Sequence, residues 1–237
     1  MAIDIARRSE GPVDLKNGYG EVAWLTEVHP LVHGYKCVLK AGHDVKPKTY
    51  KDKTVVFIFS YGKGYITTSQ KAYNIEDVCF FVPDFDHDTY TIHAVEDMEY
   101  MMVVVDMVES DHVAYEDTHM ILPSFKKLYD CEEYTQSCKG PHTHSWSIIH
   151  KGNLARVLIG VVKAEGENEG TFEKGHPSVD QWNYSLPGAD FELTVDNETI
   201  HQGEGEWSYV KAGLDHQLTG KSAFYVWFEH MTSEIKR

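Results

Sequence analysis

Short runs of β-branched and aromatic residues, punctuated by turn-forming residues, predict an all-β protein of the sandwich or barrel kind. Two further observations support this. Aromatic residues make up 12% of the chain, a high share that suits packed sheets. The two halves also carry a weak internal repeat, so the architecture is expected twice.

The strand-like runs begin at Glu21-Val-Ala-Trp-Leu-Thr, after a polar, Gly-rich arm over residues 1–20. Gly34-Tyr-Lys-Cys-Val-Leu-Lys, Thr54-Val-Val-Phe-Ile-Phe-Ser, Gly64-Tyr-Ile-Thr-Thr, Asp77-Val-Cys-Phe-Phe-Val and Met98-Glu-Tyr-Met-Met-Val-Val-Val follow, completing a first barrel over 21–106. Residues 107–140 break the rhythm. The stretch is acidic from Asp106 to Asp117, and Pro123-Ser-Phe-Lys-Lys-Leu-Tyr-Asp predicts a helical turn or two, so it reads as a short helical connection. Strands resume over 141–237, at His144-Ser-Trp-Ser-Ile-Ile, Ala155-Arg-Val-Leu-Ile-Gly-Val-Val, Phe191-Glu-Leu-Thr-Val, Glu206-Trp-Ser-Tyr-Val and Ala223-Phe-Tyr-Val-Trp-Phe. In the repeat, Tyr61-Gly-Lys-Gly-Tyr-Ile-Thr-Thr matches Pro187-Gly-Ala-Asp-Phe-Glu-Leu-Thr, and Ile75 to His87 matches Gly203 to His216. One larger β-sandwich with a helical insert is the alternative.

With 237 residues the chain can bury roughly 70–75% of its unfolded surface without disulfide staples. Its formal net charge of −15 argues against nucleic acid or anionic membrane as a partner. Cys37 and Cys79 sit in apolar runs, Cys131 and Cys138 flank a polar stretch, and no C-x-x-C pair predicts a structural zinc site. Without a signal-peptide core or a membrane-length apolar run, a cytoplasmic location is the expectation. Phosphate-binding loops, dinucleotide glycine motifs and nucleophile elbows are missing from the sequence.

The chemistry concentrates in Lys174-Gly-His-Pro-Ser-Val-Asp-Gln-Trp-Asn-Tyr-Ser-Leu-Pro-Gly188 and Gly205-Glu-Trp-Ser-Tyr-Val-Lys-Ala-Gly-Leu-Asp-His216. His176 and Asp180 share strand parity, so a regular strand aims both inward, and His216 returns to the same interior after the Ala212-Gly213 turn. Imidazole nitrogen and carboxylate oxygen together suit Zn, Mn, Fe or Ni.

The two stretches resemble the paired signature of the cupin superfamily, and with the internal repeat they resemble a bicupin. The resemblance implies two tandem cupin barrels and a divalent metal held in the second by His176, Asp180 and His216. The sequence departs from the family pattern at Lys174, where a His is usual, at Asp180, where Glu is usual, and at Lys211, where Pro is usual. Counting back from Gly62 as from Gly188 lands on Lys48, Tyr50 and Thr54, and only His87 survives of the second motif. The first barrel is therefore expected to be metal-free.

Other residues are candidates around this centre. Lys174 and Tyr184, which shares the parity of Asp180, are the expected proton-moving groups. His142 and His144 form a His-x-His pair on one strand face. Arg156 opens a buried-looking strand and needs an anionic partner there. Gln181 adjoins Asp180, faces outward on a regular strand, and reaches the pocket through a bulge. Together they are candidates for binding substrate. By resemblance, the expected function is a metal-dependent isomerase, lyase or hydrolase acting on a small polar metabolite such as a keto acid or sugar acid. The alternatives are a non-catalytic small-molecule-binding bicupin that has lost its metal, and a structural role through association of barrels, with a homodimer as the expected assembly.

Overall fold

The computed structural model describes every residue except Met1, Val13, Phe85, Asp86, His119 and residues 234–237. Strands dominate, and all the pairings between them are antiparallel. The chain divides into two compact units. One comprises Ser9–His112 and His119–Asp130, the other Met1–Arg8, Val113–Thr118 and Cys131–Arg237.

In the N-terminal unit the main sheet has six strands, in the order Ser124–Lys127, Cys79–Val82, Lys53–Tyr61, Met98–Asp106, Val32–Leu39, Tyr19–Trp24. A second sheet holds Asp44–Val45, Thr91–Ala94, Gly64–Thr67 and Ala72–Ile75. The central strand Met98–Asp106 is buried along almost its whole length, because it carries apolar residues on both faces rather than alternating. Phe57, Phe59, Phe81, Tyr90 and Tyr100 pack ring against ring at centroid separations of 5.1–6.2 Å.

The sheet of the C-terminal unit follows the same order: Ile3–Ala6, Trp207–Val210, Val179–Ser185, His216–Met231, Val157–Glu173, His144–Leu154, then Glu132–Glu133. In both units a hairpin lies in the chain between the third strand of this order and the second, here Asp190–Val195 with Glu198–Gly203. Its tight turn is Asp196-Asn197, with Asp196 at φ 50°, the left-handed conformation such hairpins require. The arm foreseen at residues 1–20 thus supplies a sheet strand, Ile3 pairing with Val210 and Ala6 with Trp207. Strands Val157–Glu173 and His216–Met231 pair from Val157↔His230 to Glu173↔His216, with register shifts at Gly166 and Gly170. These shifts lie where His216–Met231 turns from the main sheet to pair with the hairpin strand Asp190–Val195.

The connection differs from its sequence reading. Ser124–Lys127 forms a strand against Cys79–Val82, followed by a 3-10 turn at Leu128–Asp130. The helix lies earlier, at Glu109–Thr118. Asp111 accepts from the Val108 amide at 3.0 Å, and Glu109 and Asp111 place negative charge in the first turn, where it favours a helix. Among the described residues no helix is long and apolar enough to cross a membrane.

Candidate metal centre

Glu173 ends one long strand and His216 begins the other, and the two residues are direct cross-strand partners. His176 follows in the irregular segment between Glu173 and Val179. Two contacts pull that segment against the turn before His216. The Gly213 amide donates to the His176 carbonyl at 3.0 Å, and the Gly175 amide donates to Asp215 Oδ1 at 2.7 Å. A Cβ on Gly175 would stand 2.3 Å from the Gly213 carbonyl oxygen, so only glycine permits this approach.

The result is a convergence of three ligand-type side chains. Glu173, His176 and His216 offer one donor atom each, all within 4.8 Å of one another. His176 Nε2 and His216 Nε2 lie 3.2 and 3.4 Å from Glu173 Oε2. Both nitrogens are buried and neither has a well-aligned hydrogen bond, so Glu173 meets them as an ion-pair partner. His216 Nδ1 lies 3.1 Å from the Leu214 carbonyl oxygen. As donor there, it leaves the Nε2 lone pair free to coordinate, the usual arrangement of a metal-binding imidazole. Two buried imidazole nitrogens converging on one carboxylate fit a divalent cation of the zinc, manganese, iron or nickel type.

Charge reinforces the cluster. Burial opposes ionisation of Glu173, but the two imidazoles outweigh it and hold the carboxyl well below the usual carboxylate range. Glu173 in turn raises His176 against the effect of burial. Glu229 stands 3.8 Å from His176 Nε2. Burial pushes its carboxyl up to about 7.

Glu173 also forms part of the wall of a cavity of about 340 Å³. Glu229, Gln181, Thr171, Tyr225 and Trp227 line it on the sheet, and Tyr134, Gln136 and Lys139 line it on the preceding segment. Trp227 lies over Gly160, its cross-strand partner, where a Cβ would meet the indole at 2.1 Å. Burial lowers the Lys139 ammonium to about 8.

Of the residues singled out from the sequence, the structure brings His176 and His216 together. Asp180 lies elsewhere. Its Oδ1 accepts from the Tyr209 hydroxyl at 2.7 Å and the Ala212 amide at 3.1 Å, and its cross-strand partner is His230. The carboxylate beside the imidazoles is Glu173. Gln181 pairs with Glu229 and lines the cavity without a bulge in its strand. Lys174 is exposed, in an outer cleft that Glu173, His216, Asp196 and Asp215 also line. Tyr184 is buried against Trp207 at 6.2 Å, away from the cavity lining. Arg156 is buried and donates to the Met231 carbonyl at 3.4 Å. His142 and His144 are exposed, with His144 Nδ1 2.6 Å from Glu133 Oε1. Of the neighbouring histidines only His150 reaches the cavity.

The sequence reading missed Glu173, Glu229, Lys139 and Tyr134. For Glu173 a signal existed, a Glu three residues before His176 at the end of a strand. It was obscured by inverted polarity, since Phe172 is exposed while Glu173 turns inward.

No family model matches the chain, and no curated protein matches its sequence. Solved structures do match. Protein Ylba from E. coli is 11% identical with a TM-score of 0.76, over 99% of this chain and 93% of its own. The oxalate decarboxylase of Lactobacillus farciminis, solved as a formate complex, is 12% identical with a TM-score of 0.69, over 98% and 86%. A cupin 2 conserved barrel domain protein from Leptotrichia buccalis is 13% identical with a TM-score of 0.63, over 97% and 96%. At such identities the likeness is one of fold, and the chain has the all-β cupin fold.

Proposed function

We propose that the C-terminal unit is the metal-bearing barrel of a bicupin enzyme that transforms a small polar acid. The N-terminal unit is its metal-free counterpart. The observation that carries this reading is the convergence of the His176 and His216 imidazole nitrogens on Glu173, a carboxylate that also lines a metabolite-sized cavity. The repeated strand order supports the pairing of one active and one inactive barrel.

Glu173, His176 and His216 would hold the ion, and Glu173 also lines the cavity. A divalent metal bound there would supply Lewis acidity toward a substrate oxygen. Glu229 lines the same cavity beside His176. It is placed to take a proton from the substrate and return it within this cavity, which neither Lys174 nor Tyr184 lines. Gln181, opposite Glu229, offers a neutral amide to orient the substrate. Trp227, Tyr225 and Leu158 form an apolar wall that limits water. The name of one fold neighbour, oxalate decarboxylase, supports a small acid as the substrate class. Isomerisation, lyase cleavage and hydrolysis all fit this set of groups.

A second reading has its own support. Glu173 already compensates both imidazoles, so the barrel can stand without an ion as a binding module for the same acids. Incubating metal-loaded protein with a panel of keto acids and uronates, followed by NMR, separates the two. Turnover that disappears on chelation, and in Glu229→Gln with its metal retained, is the expected result. Binding without turnover in loaded and stripped protein alike would replace the enzyme with the binder.

A further inference from the structure

Lys139 is held in place by the backbone on both sides. It forms a bridge with Thr171, while the Phe172 amide donates to the Cys138 carbonyl at 2.7 Å and the Gly140 amide to the Gly170 carbonyl at 3.0 Å. These contacts stitch residues 138–140 onto the strand that ends in Glu173. Cys138 Sγ consequently sits 3.5 Å from Glu173 Oε1, and the next side chain, Lys139, lines the cavity that Glu173 also lines.

The ammonium of Lys139 donates to the Tyr134 hydroxyl at 3.0 Å and to Ser145 Oγ at 2.8 Å, and lies 4.4 Å from the centroid of the Tyr134 ring. An ammonium has three hydrogens to donate. Two are used by neutral oxygens, and among the described residues no carboxylate forms an ion pair with it. The Tyr134 hydroxyl accepts from Lys139, which leaves its own proton to give. Glu173 and Glu229 favour its charge from across the cavity, but a half-buried cation with a spare donor and no direct ion pair is costly unless something anionic completes it. In a chain of net charge −15 such a spot stands out from the general field.

We propose that Lys139 and Tyr134 anchor a carboxylate of the ligand, placing its other end toward Glu173, His176 and His216. This deepens the proposed function and rests on its assignment of the cavity as the ligand site. The class is a singly charged carboxylate. One cation without a direct ion pair matches one negative charge, whereas the second charge of a phosphate would meet greater repulsion from Glu132, Glu173 and Glu229 around the same cavity. Lys139 is a binding and positioning residue, and the bond between ammonium and carboxylate is charge-assisted.

The test titrates pyruvate, its neutral analogue pyruvamide, and inorganic phosphate into wild type, Lys139→Met and Lys139→Arg. Calorimetry and tryptophan fluorescence report binding, circular dichroism reports folding, and mass spectrometry reports metal content in parallel. Each titration is run with metal loaded and with metal stripped by chelation. Wild type is expected to bind pyruvate at least about tenfold more tightly than pyruvamide or phosphate. Lys139→Met loses that preference, Lys139→Arg largely restores it, and metal content stays the same in all three. Wild-type affinity for pyruvate in folded Lys139→Met overturns the anchor, as does a wild type that fails to prefer pyruvate over pyruvamide or prefers phosphate. Should Lys139→Met not fold, the preference of wild type and of Lys139→Arg still decides the matter. A wild type that takes up no metal yet keeps a Lys139-dependent preference for pyruvate sinks the metal reading and leaves the anchor standing.

Discussion

In the N-terminal unit Phe57, Phe59, Phe81, Tyr90 and Tyr100 fill the interior with packed rings. In the C-terminal unit, strands in the same order frame a cavity lined by Glu173, Gln181, Glu229, Lys139 and Trp227. Matching strands bear opposite contents. Phe57 and Phe59 lie on Lys53–Tyr61, and Gln181 lies on the corresponding strand Val179–Ser185. The same holds at the mouth of the hairpin. Val195, last in its strand, pairs with His216, whereas Thr67, last in the matching strand, pairs with Thr91. The same strand order thus frames a ring-packed interior in one unit and a polar-lined cavity in the other.

Breaking the filled unit should give the largest effect. Phe57 is 1% exposed, and Phe57→Ala is expected to cost about 3–5 kcal/mol. Denaturant unfolding measures this, and metal uptake should be unchanged, because no proposed ligand lies in that unit. Next comes the unit with the cavity. Loading a divalent ion at about a hundredfold excess over Kd should stabilise the C-terminal unit by about 2.7 kcal/mol. Hydrogen exchange resolved by peptide should place that protection on the strands ending and beginning at Glu173 and His216, leaving Met98–Asp106 unaffected.

Asp180 sharpens the comparison. If its carboxylate serves Tyr209 and Ala212 rather than an ion, Asp180→Ala should cost roughly 1.5–3 kcal/mol in unfolding free energy and leave metal affinity intact. The smallest effect belongs to a surface network of the filled unit. Burial opposes ionisation of Asp106, but Lys53 and His33 more than compensate and lower its pKa. A depressed carboxyl stabilises the fold above its unfolded value and loses that contribution as pH falls through the folded value. At one-third exposure the pair is worth roughly 0–1 kcal/mol. The stability difference between wild type and Asp106→Asn should therefore be present at neutral pH and fade below about pH 4.

The fold was legible because most strands announce themselves by β-branched and aromatic runs, and because the repeat survives in the hairpins. The site was legible in part. His176 and His216 stood out as residue types in a recognisable frame. Asp180 and Gln181 were exchanged because parity was counted from His176, although Lys174–Ser178 is irregular and the strand begins only at Val179. Counting by twos does not carry through a turn. Glu173 was hidden by an exposed Phe172 beside it, and Lys139 by belonging to a stretch read as a connection. The His142-x-His144 pair drew attention as a ligand pattern, yet one ring pairs with Glu133 at the surface. Likewise His87, matched to His216 by sequence, sits 75% exposed beside Asp84.

The most direct test is the metal content of wild type, Glu173→Ala and Asp180→Ala after loading and desalting, read by mass spectrometry. The account predicts about one divalent ion per chain in wild type and in Asp180→Ala, and its loss in Glu173→Ala with the fold retained. An ion kept by Glu173→Ala and lost from Asp180→Ala, or no ion in wild type at all, would contradict it.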